Sequence, residues 1–378
     1  MFKFNFSGDD IDGVEESEDQ QQDETTAERQ SANAESEFVL KPTMYDISDL
    51  LRNLPSRLSY RLVPVRTSAG TQEFPIPRRE VFDIKVQIMA NEEMLLPSLD
   101  DPSGTASEER DQFIRKELQI LLSNTEDLRT ELYEGGLKSW EGSGDLVEYL
   151  ADKGKEAGNG ILELGCGSAL PSMYLFQKHL RSLRSASSEM PIPTTSFILS
   201  DYNYSVLRLM TAPNFLLAYY TAIVLPDIQS LTSQQDLDLE ITPELVSQFL
   251  EFLTVNNIAV KFISGSWDSS EFSQLLGYSL AKTEQTKFSL VLASETIYSL
   301  STIYAFTSLL IDCITYWGTS SERAESLVAA KEIYFAVGGT VRQFVELVRV
   351  LGGTVDTVGR IAGRVSGVAR VVMHVTKP

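Results

Sequence analysis

The sequence is poor in the residues that most often build covalent and metal-centred sites. Of its 378 residues only Cys166 and Cys313 are cysteines and only His179 and His374 are histidines. Neither a disulfide framework nor a cysteine zinc site is plausible from two distant cysteines, and two histidines are too few for a histidine metal centre. No metal is expected, and the compartment is expected to be reducing. Basic residues are scarce as well: 32 Lys and Arg against 53 Asp and Glu give a formal charge of -21. That balance excludes a general nucleic-acid binder, because phosphate contacts need an excess of Lys and Arg. An acidic surface suits a basic protein partner instead. Long apolar runs are missing too. The longest stretch, around Ile303 to Trp317, is interrupted by Asp312 and is too short for a bilayer, and no charged-then-apolar leader opens the chain. A soluble, monomeric protein of cytoplasm and nucleus, without a membrane partner, is expected.

What is present divides unevenly along the chain. Residues 1–40 hold 12 acidic and 2 basic residues, and such a segment buries too little apolar surface to offset its ordering entropy. It reads as a disordered acidic tail that either solubilises the chain or attracts a basic partner. Residues 41–123 read as an N-terminal extension packing on the core. There the spacing of Met44, Ile47, Leu50, Leu51 and Leu54 predicts a helix ending near Pro55, residues 60–88 read as extended pieces broken by Pro64, Pro75 and Pro77, and a second helix is predicted over 107–123.

Residues 124–378 carry the main domain, organised around Ile161 to Ser172, ILELGCGSALPS. An apolar strand runs into a glycine turn and then into a helix; Gly165 and Gly167 let the backbone turn tightly and approach a ligand. A dinucleotide fingerprint would need a glycine where Leu170 stands, and a P-loop would need Lys then Ser or Thr after Gly167, where Ser168 and Ala169 stand. S-adenosylmethionine remains, a cation suited to Glu163 at the strand end, although tight α/β turns carry glycines for geometric reasons alone. Further strands are predicted at 197–199, 260–263, 288–292, 327–337 and 368–375, with helices between them. The segment 225–240 reads as polar and irregular. Polar residues cluster at the carboxyl ends of the first four strands. This alternation describes an α/β fold, a Rossmann-like parallel sheet with helices on both faces and its site at that edge. Asp201 ends the second strand, where an acid either hydrogen-bonds ribose hydroxyls or caps the next helix. Upstream, Ser143 reads as the cap of a helix carrying Leu146, Val147 and Leu150, with Trp140 before it.

The stretches YEGGLKSWE, ELGCGSALPS, SDYNYSVLRL, SGSW, SETIY and AAKEIYFAVGG, in this order, resemble the seven-stranded S-adenosylmethionine-dependent methyltransferases of family 16. Within that family they are similar to the eukaryotic, fungal-type protein-histidine N-methyltransferases that modify a large-subunit ribosomal protein. The resemblance covers residues 124–378. It implies that Ser139, Trp140 and Glu141 lie beside the cofactor and Gly165 and Gly167 under its methionine part. Asp201, Tyr202 and Asn203 would meet the ribose and adenine, Gly265, Ser266 and Trp267 would line the adenine side, and Ser294 would close the pocket. Glu295 and Tyr298 match the family's acidic-x-x-Tyr signature at the substrate mouth, so catalytic work is expected there. Many methyltransferases carry a third glycine where this chain has Ala169. The implied activity is methylation of the tele nitrogen of a histidine in a basic ribosomal protein, affecting ribosome assembly or translation. Glu295 would aim the imidazole or, alternatively, order the cofactor. A lysine methyltransferase of the same family acting on a translation factor, and a cofactor-binding ribosome-assembly protein without turnover, are the alternatives.

Overall fold

The computed structural model describes residues 40–91, 105–123, 135–185, 193–225, 236–268, 270–282, 288–316, 324–334, 338–361 and 368–377. The acidic segment before residue 40, Tyr133 and Glu134 of the YEGG stretch, the Ser- and Pro-rich insertion at 186–192 and Val337 lie outside them. Residues 40–378 form a single unit.

Eleven strands and eleven α-helices follow in chain order: β1 (Thr43–Asp46), α1 (Ile47–Leu50), β2 (Arg57–Val63), β3 (Ile76–Arg79), α2 (Val81–Asn91), α3 (Thr105–Ser123), α4 (Glu141–Asp152), β4 (Gly160–Leu164), α5 (Leu170–Ser185), β5 (Thr195–Asp201), α6 (Tyr204–Val206), α7 (Ala212–Tyr219), β6 (Leu237–Glu240), α8 (Pro243–Val255), β7 (Ile258–Ser264), α9 (Ser270–Lys282), β8 (Leu290–Ser294), α10 (Ile303–Tyr316), β9 (Glu325–Lys331), α11 (Val341–Val350), β10 (Thr354–Ile361) and β11 (Arg370–Thr376), counted among the described residues. Eight strands make one sheet in the order β1-β7-β5-β4-β8-β9-β11-β10, and β3-β2-β6 make a small second sheet. The strands β7, β5, β4, β8 and β9 are parallel; β1 and β11 join antiparallel. From β4 the chain builds outward through β5 to β7, then returns to place β8 on the other side of β4. The crevice beyond β4 and β8 is therefore the topological switch point, where open α/β sheets hold their ligands.

Why these segments are strands is plain from their burial. Every residue of β4, β5 and β8 is buried, as strands covered by helices on both faces require. Alternation splits them between two cores: Ile161, Phe197, Leu199 and Leu292 face one, and Leu162, Leu164, Ile198 and Val291 the other. Side-chain caps start α8 and α11. Thr242 accepts from the Leu245 amide ahead of Pro243, and Thr340 accepts from the Gln343 amide. A helical run from 204 to 224 joins α6 and α7 through π-helical turns at Leu207–Thr211 and Tyr220–Val224. The first π turn puts the Thr211 hydroxyl 2.7 Å from the Gly167 carbonyl, to which it donates.

Several sequence expectations change here. The predicted helix over Met44–Leu54 is instead β1 followed by the one-turn α1, because Thr43–Asp46 pairs along the β7 edge and ladder bonds outweigh a helical spacing of apolar residues. The extended reading of 60–88 holds for β2 and β3 but gives way to α2 from Val81 on. Within 225–240, β6 forms by pairing with β2. The fifth sheet strand ends at Lys331, short of the predicted 337. The last hairpin partner, β10, was not predicted; its side chains are mostly exposed, so no apolar alternation marks it. Ser143 is not the cap of α4. Trp140 holds that position, and the Ser143 hydroxyl donates to the Trp140 carbonyl from inside the first turn.

Candidate active site

The glycine turn after β4 is built by close backbone approach. Gly165 and Gly167 have φ of 66° and 50°, in the left-handed region that side chains disfavour. A Cβ at Gly167 would lie 3.0 Å from the Gly136 carbonyl, and one at Gly165 would lie 2.5 Å from Thr296 Cγ2 and 3.4 Å from Trp267 Cη2. Ala169 shares the left-handed conformation, φ 56°, at the position where a third glycine was in question. Its methyl is fully buried, and its amide donates to the Cys166 carbonyl.

Two buried carboxylates hold this turn. Asp201, the last residue of β5, accepts from the Gly167 amide at 2.9 Å through Oδ2 and from the Asn203 amide at 3.2 Å through Oδ1. It ties the turn to the β5 loop and does not cap the following helix, whose N-cap is Asn203. Burial raises the Asp201 pKa to about 6 against the lowering effect of those amides. Glu163 is fully buried on β4. Its Oε2 accepts from the Ser172 amide at 3.0 Å and from the Ser172 hydroxyl, in the first turn of α5. Its Oε1 has no hydrogen-bond partner, and burial drives its pKa up to about 8. Thr296, 4% exposed, also leaves its hydroxyl unpaired. Unpaired buried oxygens beside a glycine turn suit a small ligand that brings its own donors, so the site fits the ammonium group of S-adenosylmethionine.

Ser139 closes the near side of the turn: its hydroxyl lies 2.8 Å from that of Ser168 and accepts from Arg78 at 3.2 Å. On the far side, Gly265 donates to the carbonyls of Asp201 and Tyr202, and the Ser266 amide donates to the Leu40 carbonyl. Trp267 Nε1 donates to Ser200 Oγ at 3.2 Å, and its ring packs on Phe306. Tyr202 meets Phe113 of α3 edge-on. Asn203 is fully buried. Ser294 ends β8 opposite Ala329, and it too is buried.

A second cluster gathers around Glu295. Its backbone φ is 57°, a conformation costly for a residue with a side chain and typical of functional turns. Its Oε1 accepts from the Gly142 amide at 3.0 Å, at the start of α4. A Cβ at Gly142 would fall 2.7 Å from that oxygen, so a side chain there would displace the carboxylate. Its Oε2 accepts from the Tyr334 hydroxyl at 2.5 Å. Burial raises the Glu295 pKa, while the Tyr334 hydrogen bond and the nearby Lys331 lower it. Lys331 pairs with Glu141 at 3.1 Å and lies 5.3 Å from the centroid of the Trp140 ring. Trp140 itself donates to the Gly135 carbonyl. Tyr298 is half-buried, with its ring 6.4 Å from that of Tyr334. The structure thus brings Trp140, Glu141, Glu295 and Tyr298 into one group, and Ser139, Glu163, Gly165, Gly167 and Asp201 into another. Thr296 stands at their junction.

Sequence reasoning did not single out Tyr334, Lys331, Gly142 or Thr296. Lys331 and Tyr334 stand in AAKEIY and Thr296 in SETIY, but their partners are set by tertiary contacts, with 39 residues separating Tyr334 from Glu295. Among the described residues no cluster of His, Cys, Asp and Glu could hold a metal ion, and no helix is long and apolar enough to cross a membrane.

No family model matches the chain. It is 34% identical over 319 residues to histidine protein methyltransferase 1 of Saccharomyces cerevisiae, covering 81% of this chain and 76% of that protein. Against histidine protein methyltransferase 1 of Schizosaccharomyces pombe it is 33% identical over 301 residues, covering 79% and 74%. A homologue in Dictyostelium discoideum is 27% identical over 259 residues, with 68% and 62% covered. Among solved structures, magnesium protoporphyrin IX methyltransferase of Synechocystis aligns at a TM-score of 0.34 and 9% identity, over 78% of this chain and 98% of that one.

Proposed function

The chain belongs to the histidine protein methyltransferase 1 family, and on that premise we propose that it methylates the tele nitrogen of a histidine in a basic large-subunit ribosomal protein. The enzyme is an S-adenosylmethionine-dependent protein methyltransferase. The finer assignment to family 16, to a ribosomal substrate met in cytoplasm or nucleus, and to an effect on ribosome assembly or translation is part of the proposal.

The observation that carries it is the fixed carboxylate of Glu295. Held at one oxygen by the Gly142 amide and at the other by the Tyr334 hydroxyl, it is locked in orientation and keeps lone pairs for one more donor. An imidazole, with a pKa of about 6.5, is mostly neutral at pH 7, whereas a lysine, at about 10.4, must first lose a proton. A histidine enzyme therefore needs an acceptor that orients the ring more than it needs a strong base. Glu295 serves by accepting the N–H of one ring nitrogen, which leaves the lone pair of the other aimed at the methyl donor, and by taking up the ring proton as the product forms. Tyr298 and Trp140 supply apolar walls at the mouth.

Glu163, Gly165, Gly167, Asp201 and Ser139 would hold the cofactor, with Trp267, Gly265 and Ser266 on its adenine side. When bound, S-adenosylmethionine supplies a methyl carbon that its sulfonium sulfur activates for in-line displacement. The rest is positioning and exclusion of water, which bring a nucleophile to roughly 3–3.5 Å in the reactive geometry. The test is incubation with labelled S-adenosylmethionine and ribosomal proteins from a strain lacking the enzyme. Label in one basic large-subunit protein is expected; label confined to a translation factor, or absent, would contradict the substrate assignment.

A further inference from the structure

A buried hydroxyl with no partner in its own protein is costly to keep, and Thr296 keeps one at the junction of the two clusters. Its hydroxyl is unpaired, its residue is 4% exposed, and its methyl occupies the space above Gly165. The left-handed turn at Glu295, φ 57°, swings the chain off the end of β8 and delivers Thr296 to the glycine turn. Glu163, two residues before Gly165 on β4, offers another unpaired buried oxygen.

We propose that the Thr296 hydroxyl is a cofactor ligand, hydrogen-bonding the amino-acid end of the methionine portion held at the glycine turn. The sulfonium sulfur of that portion has no hydrogen to donate and no lone pair suited to accept one. Its carboxylate and ammonium are the groups that can satisfy a hydroxyl there. Thr296 then couples the two halves of the site, since the residue before it orients the substrate. This assignment rests on S-adenosylmethionine being the cofactor.

Thr296→Val keeps the methyl against Gly165 and removes only the hydroxyl. In the free protein it removes an unpaired group, so the melting temperature should be unchanged or higher. Calorimetry should show affinity for S-adenosylmethionine and for its demethylated product reduced to the same degree, roughly tenfold, the scale of one hydrogen bond to a charged group. Thr296→Ser should retain most of the affinity. Unchanged affinity in Thr296→Val would overturn the assignment, as would a fall in melting temperature that Thr296→Ser restores, because the hydroxyl would then have a protein partner. Loss confined to S-adenosylmethionine would move the contact to the transferred methyl group and overturn its placement at the amino-acid end. Failure of the wild-type chain to bind either molecule would instead sink the cofactor reading itself.

Discussion

Glu163 sits where water does not reach it, and the proton it keeps there opposes the cation its site would take. Its folded pKa is raised to about 8 from an ordinary 4.5, by burial. A folded pKa above the unfolded one means that the native chain binds more protons, so this residue's contribution to stability is full below about 4.5 and is lost as pH rises through about 8. An ammonium at the unpaired Oε1 favours the ionised form, so binding should release a proton near neutral pH. Cofactor affinity should therefore rise between about pH 6 and about pH 8, and titrations in buffers of different ionisation enthalpy should report proton release. Glu163→Gln, which cannot ionise, should bind more weakly and lose that pH dependence. Gly165 also changes meaning at this scale. Its Cβ space is taken by Thr296 and Trp267, so a large side chain there disturbs packing as well as any binding. The glycines and Asp201 were legible in the sequence because strand, turn and helix follow one another locally. Thr296 and Tyr334 were not, because nothing local distinguishes a hydroxyl that is satisfied from one that is not.

At the scale of elements, the N-terminal extension is joined to the site by hydrogen bonds rather than laid beside it. β1 lengthens the main sheet at β7, and Pro42 Cα would lie 2.7 Å from a Cβ at Gly265. At the end of β3, Arg79 is fully buried. It pairs with Asp83 and Gln87 of α2 and donates to the Leu209 carbonyl in the π turn. The Arg79 amide donates to Asn214, whose side chain in turn donates to the Ser168 carbonyl in the glycine turn. Removing one partner of a buried ion pair strands the other, so Arg79→Ala should cost about 3–5 kcal/mol in urea denaturation. Arg79→Lys should recover little, because one ammonium cannot reproduce the spread of guanidinium donors that reaches Asp83, Gln87 and Leu209. A cost within the range of a surface substitution would mean that the extension and the glycine turn are mechanically separate. None of this was legible in the sequence. An Arg after a run of prolines reads as surface, and only pairing of β2 with β3 and β6 carries it inside.

For the molecule from residue 40 on, the centre of the main sheet was more legible in the sequence than its edges. The five parallel strands show as apolar runs because both faces of each are covered, and the acidic and glycine residues at their ends mark the switch point between β4 and β8. The strands that escaped, β1, β6 and β10, are short or lie at sheet edges, where partners rather than composition create them. What the whole arrangement claims is a division of labour: a glycine turn that holds the methyl donor, and a carboxylate, fixed by Gly142 and Tyr334, that orients a neutral ring. The most direct test is to methylate a purified basic ribosomal protein with the purified enzyme and to identify the modified amino acid by mass spectrometry and chromatography against tele-methylhistidine, pros-methylhistidine and methyl-lysine standards. Tele-methylhistidine alone is expected, with turnover by Glu295→Gln reduced at least tenfold while cofactor affinity stays near wild type, the effect expected of a lost charge-assisted hydrogen bond to the reacting ring. Methyl-lysine as the product, or a Glu295→Gln enzyme that loses cofactor binding and turnover together, would contradict this division of labour.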